Sequence, residues 1–312
     1  MSRECGSLGA CPSREGRRPA FALAAVMVAL VLVTVALIGV ARVSLTMAAE
    51  TARLQHDFQL RWGSRSCQAA LLELAPQLFD RLEERARREG SEQPAPARLD
   101  YRFVLGEVSV AASVRDDSAA FDVNTAYHYV GPARLESSLR RLLDGPSGIL
   151  VRLRPSVPPQ GKPEVRRPDV VFPVAFEGWG QVFRTEQLGA AARQTALVAM
   201  TRKLTCSPGS GLNVRRAPRE VIEATCELVV SAGQAKKIAD RCREYPRPHI
   251  HRVLEQLGVD RRDQVLLKQL LTEQSSCYCV WVDARRAGRH RLSSATVRYG
   301  DDGTYGVSSF CY

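Results

Sequence analysis

The sequence predicts an α+β chain: a long apolar helix leads into a strand region, and a helical block stands between that region and a last group of strands. Three observations predict it. They are an uncharged run from Ala20 to Ala41, branched and partly alternating text at 101–114 and again between 277 and 299, and helical periodicity repeated between 218 and 272.

The apolar run comes first. No charged residue separates Arg18 from Arg42, and the 22 residues AFALAAVMVALVLVTVALIGVA would rise about 33 Å as a helix, enough to cross a bilayer. A secretory signal has a shorter core of roughly 7 to 15 residues. The run is therefore expected to remain as an anchor over 20–41, with Met47-Ala48-Ala49 as an alternative cleavage site and Arg17-Arg18 as a faint twin-arginine alternative. Arg3, Arg14, Arg17 and Arg18 precede it, which places a leader at 1–19 in the cytoplasm and the body outside. Residues 42–90 read as a helical stem, because 43–62 hold neither Gly nor Pro; Gly63 is the first expected break.

Residues 101–130 read as a first strand region, followed by a short helix at 133–144. Six prolines between 145 and 169 mark a linker or an extended surface loop. A helical domain is expected over 170–275, opened by a short strand at 170–176, with helices near 186–202, 218–230, 233–243, 248–257 and 262–272. Terminal strands fill 276–312, with a basic turn around Gly288.

Of the 312 residues, 45% are hydrophobic and 25% charged, as in chains that bury a core. The formal net charge is +11, and residues 201–300 hold nineteen Lys and Arg against ten Asp and Glu. A basic segment of this kind is either a solvated surface or a footprint for an acidic partner, nucleic acid or anionic lipid.

Enzyme chemistry has no foothold in the text. It contains no HExxH, P-loop or nucleophile elbow, and His56, His128, His249, His251 and His290 form no catalytic spacing. His249-x-His251 and Cys277-x-Cys279 could supply four zinc ligands, but no second Cys pair supports them; neither metal nor cofactor is expected. Outside the cytoplasm Cys67, Cys206, Cys226, Cys242, Cys277, Cys279 and Cys311 could oxidise. Seven is odd, so one thiol stays free or pairs between chains, and Cys226 with Cys242, on consecutive predicted helices, is the candidate bridge.

Two phrases resemble each other: Phe121-Asp122-Val123-Asn124-Thr125-Ala126 and Gly211-Leu212-Asn213-Val214-Arg215-Arg216-Ala217-Pro218. Each joins an apolar residue, an Asn and a following Ala, as if Asn served a turn or cap before the next element. With the anchor, the strand region and the helical block, they resemble the K-type minor pseudopilin of the type II secretion system. The motif residues are Asn124, Thr125, Ala126, Asn213, Ala217 and Pro218, followed by Val221-Ile222; Arg215-Arg216 stands where that family has Asn-Thr. Ser231 to Cys242 looks like a helix-hairpin-helix step with Gly233 at its turn.

The resemblance implies a pilin-like strand region with a helix-hairpin-helix or SAM-like domain inserted before the final strands. It implies a non-catalytic subunit at the tip of a secretion pseudopilus, held in the inner membrane with its body in the periplasm, whose partners are other minor pseudopilins and inner-membrane components. Processing would fall between Ala20 and Phe21, which puts Ala25 where most pilins carry Glu; K-type proteins lack that Glu. Relatives bind calcium, but Asp116, Asp117, Asp122, Asp301 and Asp302 show no ligand order and read as solvated turns. The alternative is a membrane-anchored DNA-binding protein, with Gly233, Lys236 and Lys237 as a phosphate-binding hairpin beside Arg241 and Arg243.

Overall fold

A computed structural model describes residues 18–89, 96–143, 150–163, 172–184, 197–207, 211–244, 249–299 and 305–311. The chain divides into two units, residues 1–58 and residues 59–312.

The first unit is helical. Helix α1 spans Arg18–Arg88, so it begins here and supplies one element of the second unit. From Phe21 to Phe58 its large apolar side chains are exposed on every side. The hydroxyls of Thr34, Thr46 and Thr51 donate to the carbonyls of Leu30 (2.7 Å), Arg42 (3.1 Å) and Met47 (2.8 Å), so each is satisfied within its own helix.

The second unit opens with the rest of α1, which continues through Gly63 where a break was expected. Gly63 is buried within the helix, and a Cβ there would meet Val108 at an ordinary contact distance of 3.9 Å, so the position asks for no break. Leu60, Cys67, Leu72, Ala75 and Phe79 are buried at helical spacing. Pro76 lies inside the helix and removes the N–H that would reach Leu72, but the Tyr299 hydroxyl donates to the Leu72 carbonyl at 3.2 Å instead.

The α1 stripe packs on an antiparallel sheet of order β1-β2-β7-β8-β9. Strands β1 (Arg98–Leu105) and β2 (Val108–Asp116) form a hairpin with Gly106 at φ +59° in a two-residue turn. Strands β7 (Cys277–Arg286) and β8 (Arg289–Tyr299) turn through Ala287 and Gly288, at φ +47° and +76°, a type I′ turn that matches strand twist. Strand β9 (Tyr305–Cys311) completes the sheet.

On β7, Tyr278, Val280, Val282 and Ala284 join the core under α1, whereas Cys279 and Trp281 join the core of the helical insert. Burial on both faces explains why CYCVWV reads as an unbroken apolar run. Tyr278 stacks on Phe79, ring centroids 5.8 Å apart. Gln68 Nε2 donates to Ser293 Oγ at 3.0 Å, and Ser64 Oγ lies 2.5 Å from the same oxygen.

The insert lies between β2 and β7 and starts earlier than the sequence predicts. Strand β3 (Phe121–Asp122) runs into helix α2 (Val123–Leu142), so 123–130, expected in the strand region, is helical. Asp122 caps α2, accepting from the N–H groups of Asn124 (2.9 Å) and Thr125 (3.1 Å), and this overrides the strand preference of Val-Asn-Thr-Ala-Tyr-His-Tyr-Val. Gly131, at φ +72°, breaks the axis, and Pro132 restarts it.

The described part of the proline-rich stretch is packed rather than free. Val151 is buried and bridges Phe183, and Tyr127 donates its hydroxyl to the Val157 carbonyl at 2.9 Å. Residues 172–176 make no strand ladder; Ala175 and Phe176 bond to a side chain described below. After α3 (Trp179–Val182), much of the helix expected at 186–202 lies outside the described residues.

Strand β4 (Leu204–Thr205) pairs in parallel with β3. Strand β5 (Leu212–Asn213) then opens a second unit of the same plan. Helices α4 (Arg219–Cys226), α5 (Ala232–Arg241), α6 (Ile250–Gln256) and α7 (Arg261–Leu270) follow, and β6 (Leu271–Thr272) closes in parallel on β5. Both returning strands read Leu-Thr.

The Pro76 and Tyr299 pairing sets a double-mutant test. Tyr299→Phe is expected to cost about 1 kcal/mol in the natural chain and markedly less in a Pro76→Ala background, where an amide again serves Leu72; denaturant unfolding of the four proteins measures it, and equal losses would refute it.

Candidate functional site

Four consecutive residues at the end of β2, Arg115-Asp116-Asp117-Ser118, are buried, and each bonds to a different part of the second unit. Arg115 Nε donates to Asp117 Oδ1 at 2.7 Å, and its Nη1 donates to the Thr201 carbonyl. Thr205 Oγ1 donates to Asp117 Oδ2 at 2.7 Å, which ties the sheet to β4. Ser118 Oγ accepts from the N–H groups of Ser276 and Cys277, both at 3.1 Å, where the chain returns to the sheet. The solvated-turn reading of Asp116 and Asp117 is thus wrong, because both are buried and each has a partner more than eighty residues away.

Asp116 meets Arg216, whose side chain is 3% exposed. Arg216 Nη1 lies 3.2 Å from Asp116 Oδ2; its Nη2 lies 2.9 Å from Glu83 and 3.4 Å from Asp80, both on α1. The guanidinium also stands over Phe79, 5.4 Å from the ring centroid. Arg215 pairs with Glu273 at 2.7 Å and with Glu83 at 3.5 Å. Glu273 also accepts from Ile250 N–H (2.9 Å) at the start of α6 and from His249 Nδ1 (2.8 Å). Burial would raise the Glu273 carboxyl, but the Ile250 amide, His249 and Arg215 together hold it below its ordinary value. The two arginines that depart from the family's Asn-Thr thus join α1, the sheet and the insert. Sequence spacing could not reveal this, since their partners lie far along the chain.

The two motif asparagines are buried and structural. Asn124 Oδ1 accepts from the N–H groups of Ala175 and Phe176, both at 2.8 Å, and its Nδ2 donates to the carbonyls of Phe176 (3.2 Å) and Cys206 (2.7 Å). All four of its hydrogen-bonding positions are filled. Asn213 Oδ1 accepts from Arg215 N–H at 3.0 Å while Nδ2 donates to Ser275 Oγ at 2.7 Å, a turn of the kind its sequence suggests. Thr125 donates to Asp122 at 2.6 Å, Ala126 and Ala217 are buried, and Pro218 precedes α4. His128, which sequence reasoning left without a role, accepts Gln160 N–H at Nδ1 (3.3 Å). Nε2 therefore carries the proton shared with the Pro173 carbonyl (2.9 Å).

The structure does not bring the remaining candidates together. Gly233 lies in the first turn of α5 rather than in the connection from α4, which is formed by residues 227–231. Its φ is not positive, and a side chain there would meet open space. Lys236 and Lys237 are exposed on α5. Cys226 and Cys242 are buried thiols; burial pushes Cys226 well up and Cys242 up to about 12. His249 stacks near His251 at 5.8 Å, whereas Cys277 and Cys279 are buried on β7. No three His, Cys, Asp or Glu converge on a metal position among the described residues. Ala20 and Phe21 lie within α1, with Phe21 exposed; Asp301 and Asp302 fall outside the described residues.

Among solved structures, the chain is similar to one chain of the crystal structure of the GspK-GspI-GspJ complex from the enterotoxigenic Escherichia coli type 2 secretion system. Identity is 15% and the TM-score 0.46, covering 84% of this chain and 99% of that one. No protein-family profile and no curated protein matches the chain.

The junction carries a pH signature. Burial pushes the Asp116 carboxyl up to about 6 against the opposing pull of Ser275 and Arg216, and its Oδ1 has no hydrogen-bond partner among the described residues. The folded value lies above the ordinary 3.8, so the stability from this group is complete at low pH and lost as pH rises through the folded value. Compared with Asp116→Asn, the natural chain should lose about 3 kcal/mol of unfolding free energy between about pH 4 and pH 7. Urea unfolding in detergent measures it, and a pH-independent difference between the two proteins would refute the assignment.

Proposed function

We propose that the chain is a non-catalytic minor pseudopilin of the K type, a tip subunit of a type II secretion pseudopilus that takes part in protein export. One observation carries the reading. The first unit exposes apolar side chains around its whole circumference from Phe21 onward and carries Ala25, not a carboxylate, four residues later. α1 is long and apolar enough to cross a membrane. A side chain that ionises at that depth is costly unless a neighbour's terminal amine meets it, so a subunit without it has no such requirement to satisfy. On this reading the leader is cytoplasmic, α1 lies in the inner membrane, the body is periplasmic, and apolar helix packing joins it to other minor pseudopilins and inner-membrane components.

The two asparagine phrases support the same reading, since each opens a repeat unit of the insert. Nucleic-acid binding at Gly233, Lys236 and Lys237 is the weaker alternative. Ser231 Oγ already accepts Gln234 N–H at 3.4 Å where a phosphate would sit, and Lys236 faces Asp240.

Co-purification with candidate minor pseudopilins of the same cell is expected to yield a complex, and a deletion strain should lose filament assembly. No complex, together with unchanged assembly, would refute the proposal. The anchor has its own test. Val31→Arg should cost about 2.5–3.5 kcal/mol of insertion and move the protein into the carbonate-extractable fraction, whereas retention equal to the natural chain would count against a spanning helix.

A further inference from the structure

The second unit contains a cleft of about 2010 Å³ between the outer face of the sheet and the insert. One wall comes from β1, β2, β7 and the turn into β8, the other from residues 198–203 and the start of α4. Eleven Lys and Arg line it against five Asp and Glu, a surplus of six in a chain whose net charge is +11.

Arg115 and Arg216 belong to the buried network described above, but several of the other cations make pairs of an exchangeable kind. Arg98 pairs with Asp100 at 2.8 Å, Arg285 with Asp283 at 2.6 Å, Arg219 with Asp240 at 2.5 Å, and Arg286 with Glu107. Each has at least one solvent-exposed member, and such pairs contribute little stability. Arg102 on β1 and Arg202 on the opposite wall are exposed and have no ion partner among the described residues.

The lining is also apolar in part, with Leu142, Leu143, Met200, Trp281 and Leu292. The cleft reaches β1, an edge strand whose outer row of backbone groups has no strand beside it among the described residues.

We propose that this cleft binds an extended acidic segment of another polypeptide, in which carboxylates alternate with apolar side chains. Guanidinium forks suit carboxylates in paired geometry, the apolar lining suits the intervening residues, and the edge strand suits an extended backbone. Nucleic acid fits less well. Among the described residues its aromatic lining is limited to Tyr101, His290 and the 5%-exposed Trp281, a meagre stacking surface, and Lys236 and Lys237 are not among its lining. This inference rests on the cleft alone and does not depend on the membrane or filament reading.

The test uses the full chain purified in detergent and a fluorescein-labelled peptide of about twelve alternating Glu and Leu residues, roughly 40 Å when extended. Fluorescence anisotropy should show saturable binding that weakens with salt. Arg102→Glu with Arg202→Glu should weaken it at least about tenfold while circular dichroism stays unchanged, since both side chains are on the surface. Lys236→Ala with Lys237→Ala, outside the cleft, should leave it unaltered. The proposal is overturned if the peptide does not bind, if the double Glu variant binds equally well, or if a Lys-Leu peptide binds as tightly. It is also overturned if duplex DNA binds more tightly than the acidic peptide.

Discussion

The second unit is organised around one buried guanidinium. Arg216 takes its place in a turn after β5, yet its partners are Asp116 at the end of β2 and Asp80 and Glu83 on α1. Three carboxylates around one arginine leave the cluster with excess negative charge, and Arg215 and Ser275 take up part of it. Removing one member of such a network leaves a buried charge unmatched, which costs about 3–5 kcal/mol, far more than the net value of the pairs themselves. The network thus acts less as a source of stability than as a condition on register. Asp80 is open to solvent, but Asp116, Glu83 and Arg216 are matched together only when the helix, the sheet and the insert are all in place, so a misdocked insert would leave Asp116 buried beside no cation.

Around that point the insert repeats a plan. β3 and β5 each begin a unit with an apolar residue and an Asx residue, helices follow, and a Leu-Thr strand returns in parallel beside the first. Parallel pairing of two residues is weak alone, so each bridge depends on side chains that tie its loops. In the first repeat of the insert Asn124 does this by bonding residues 175, 176 and 206. In the second, Asn213 bonds Ser275, and Ser275 Oγ in turn donates to Asp116 at 2.5 Å. The second asparagine is therefore part of the charge network, and the first belongs to the helical core.

What could be read from the sequence follows from the range of the interactions. The apolar run, the hairpin turns at Gly106 and Gly288, and the helices after Pro218 are written in local text, because each depends on neighbours three or four residues away. Residues 123–130 were misread since Val, Thr and Tyr favour strands, while the deciding cap, Asp122, is a single side chain. Residues 172–176 were misread for the opposite reason: their backbone partner is an asparagine about fifty residues earlier, and no periodicity records that. Gly63 signals a break in isolation, yet the helix continues through it on the face packed against the sheet. Arg215-Arg216 resembled a degraded motif, although these side chains carry the junction. At 172–176 and at Arg215-Arg216 the local pattern was overruled by contacts distant in sequence, and at 123–130 by one adjacent capping side chain.

Helix α1 shows how one element can meet two environments. Up to Phe58 its apolar side chains have no preferred face and are exposed all round. From Leu60 the pattern narrows to a stripe at helical spacing, and polar residues occupy most of the rest, as on an ordinary amphipathic helix. The boundary between the two patterns contains neither proline nor glycine until Gly63, and the helix runs on through that glycine. Within the second unit, Leu60, Cys67, Leu72, Ala75 and Phe79 keep one helical phase, so the sheet meets a single face of α1.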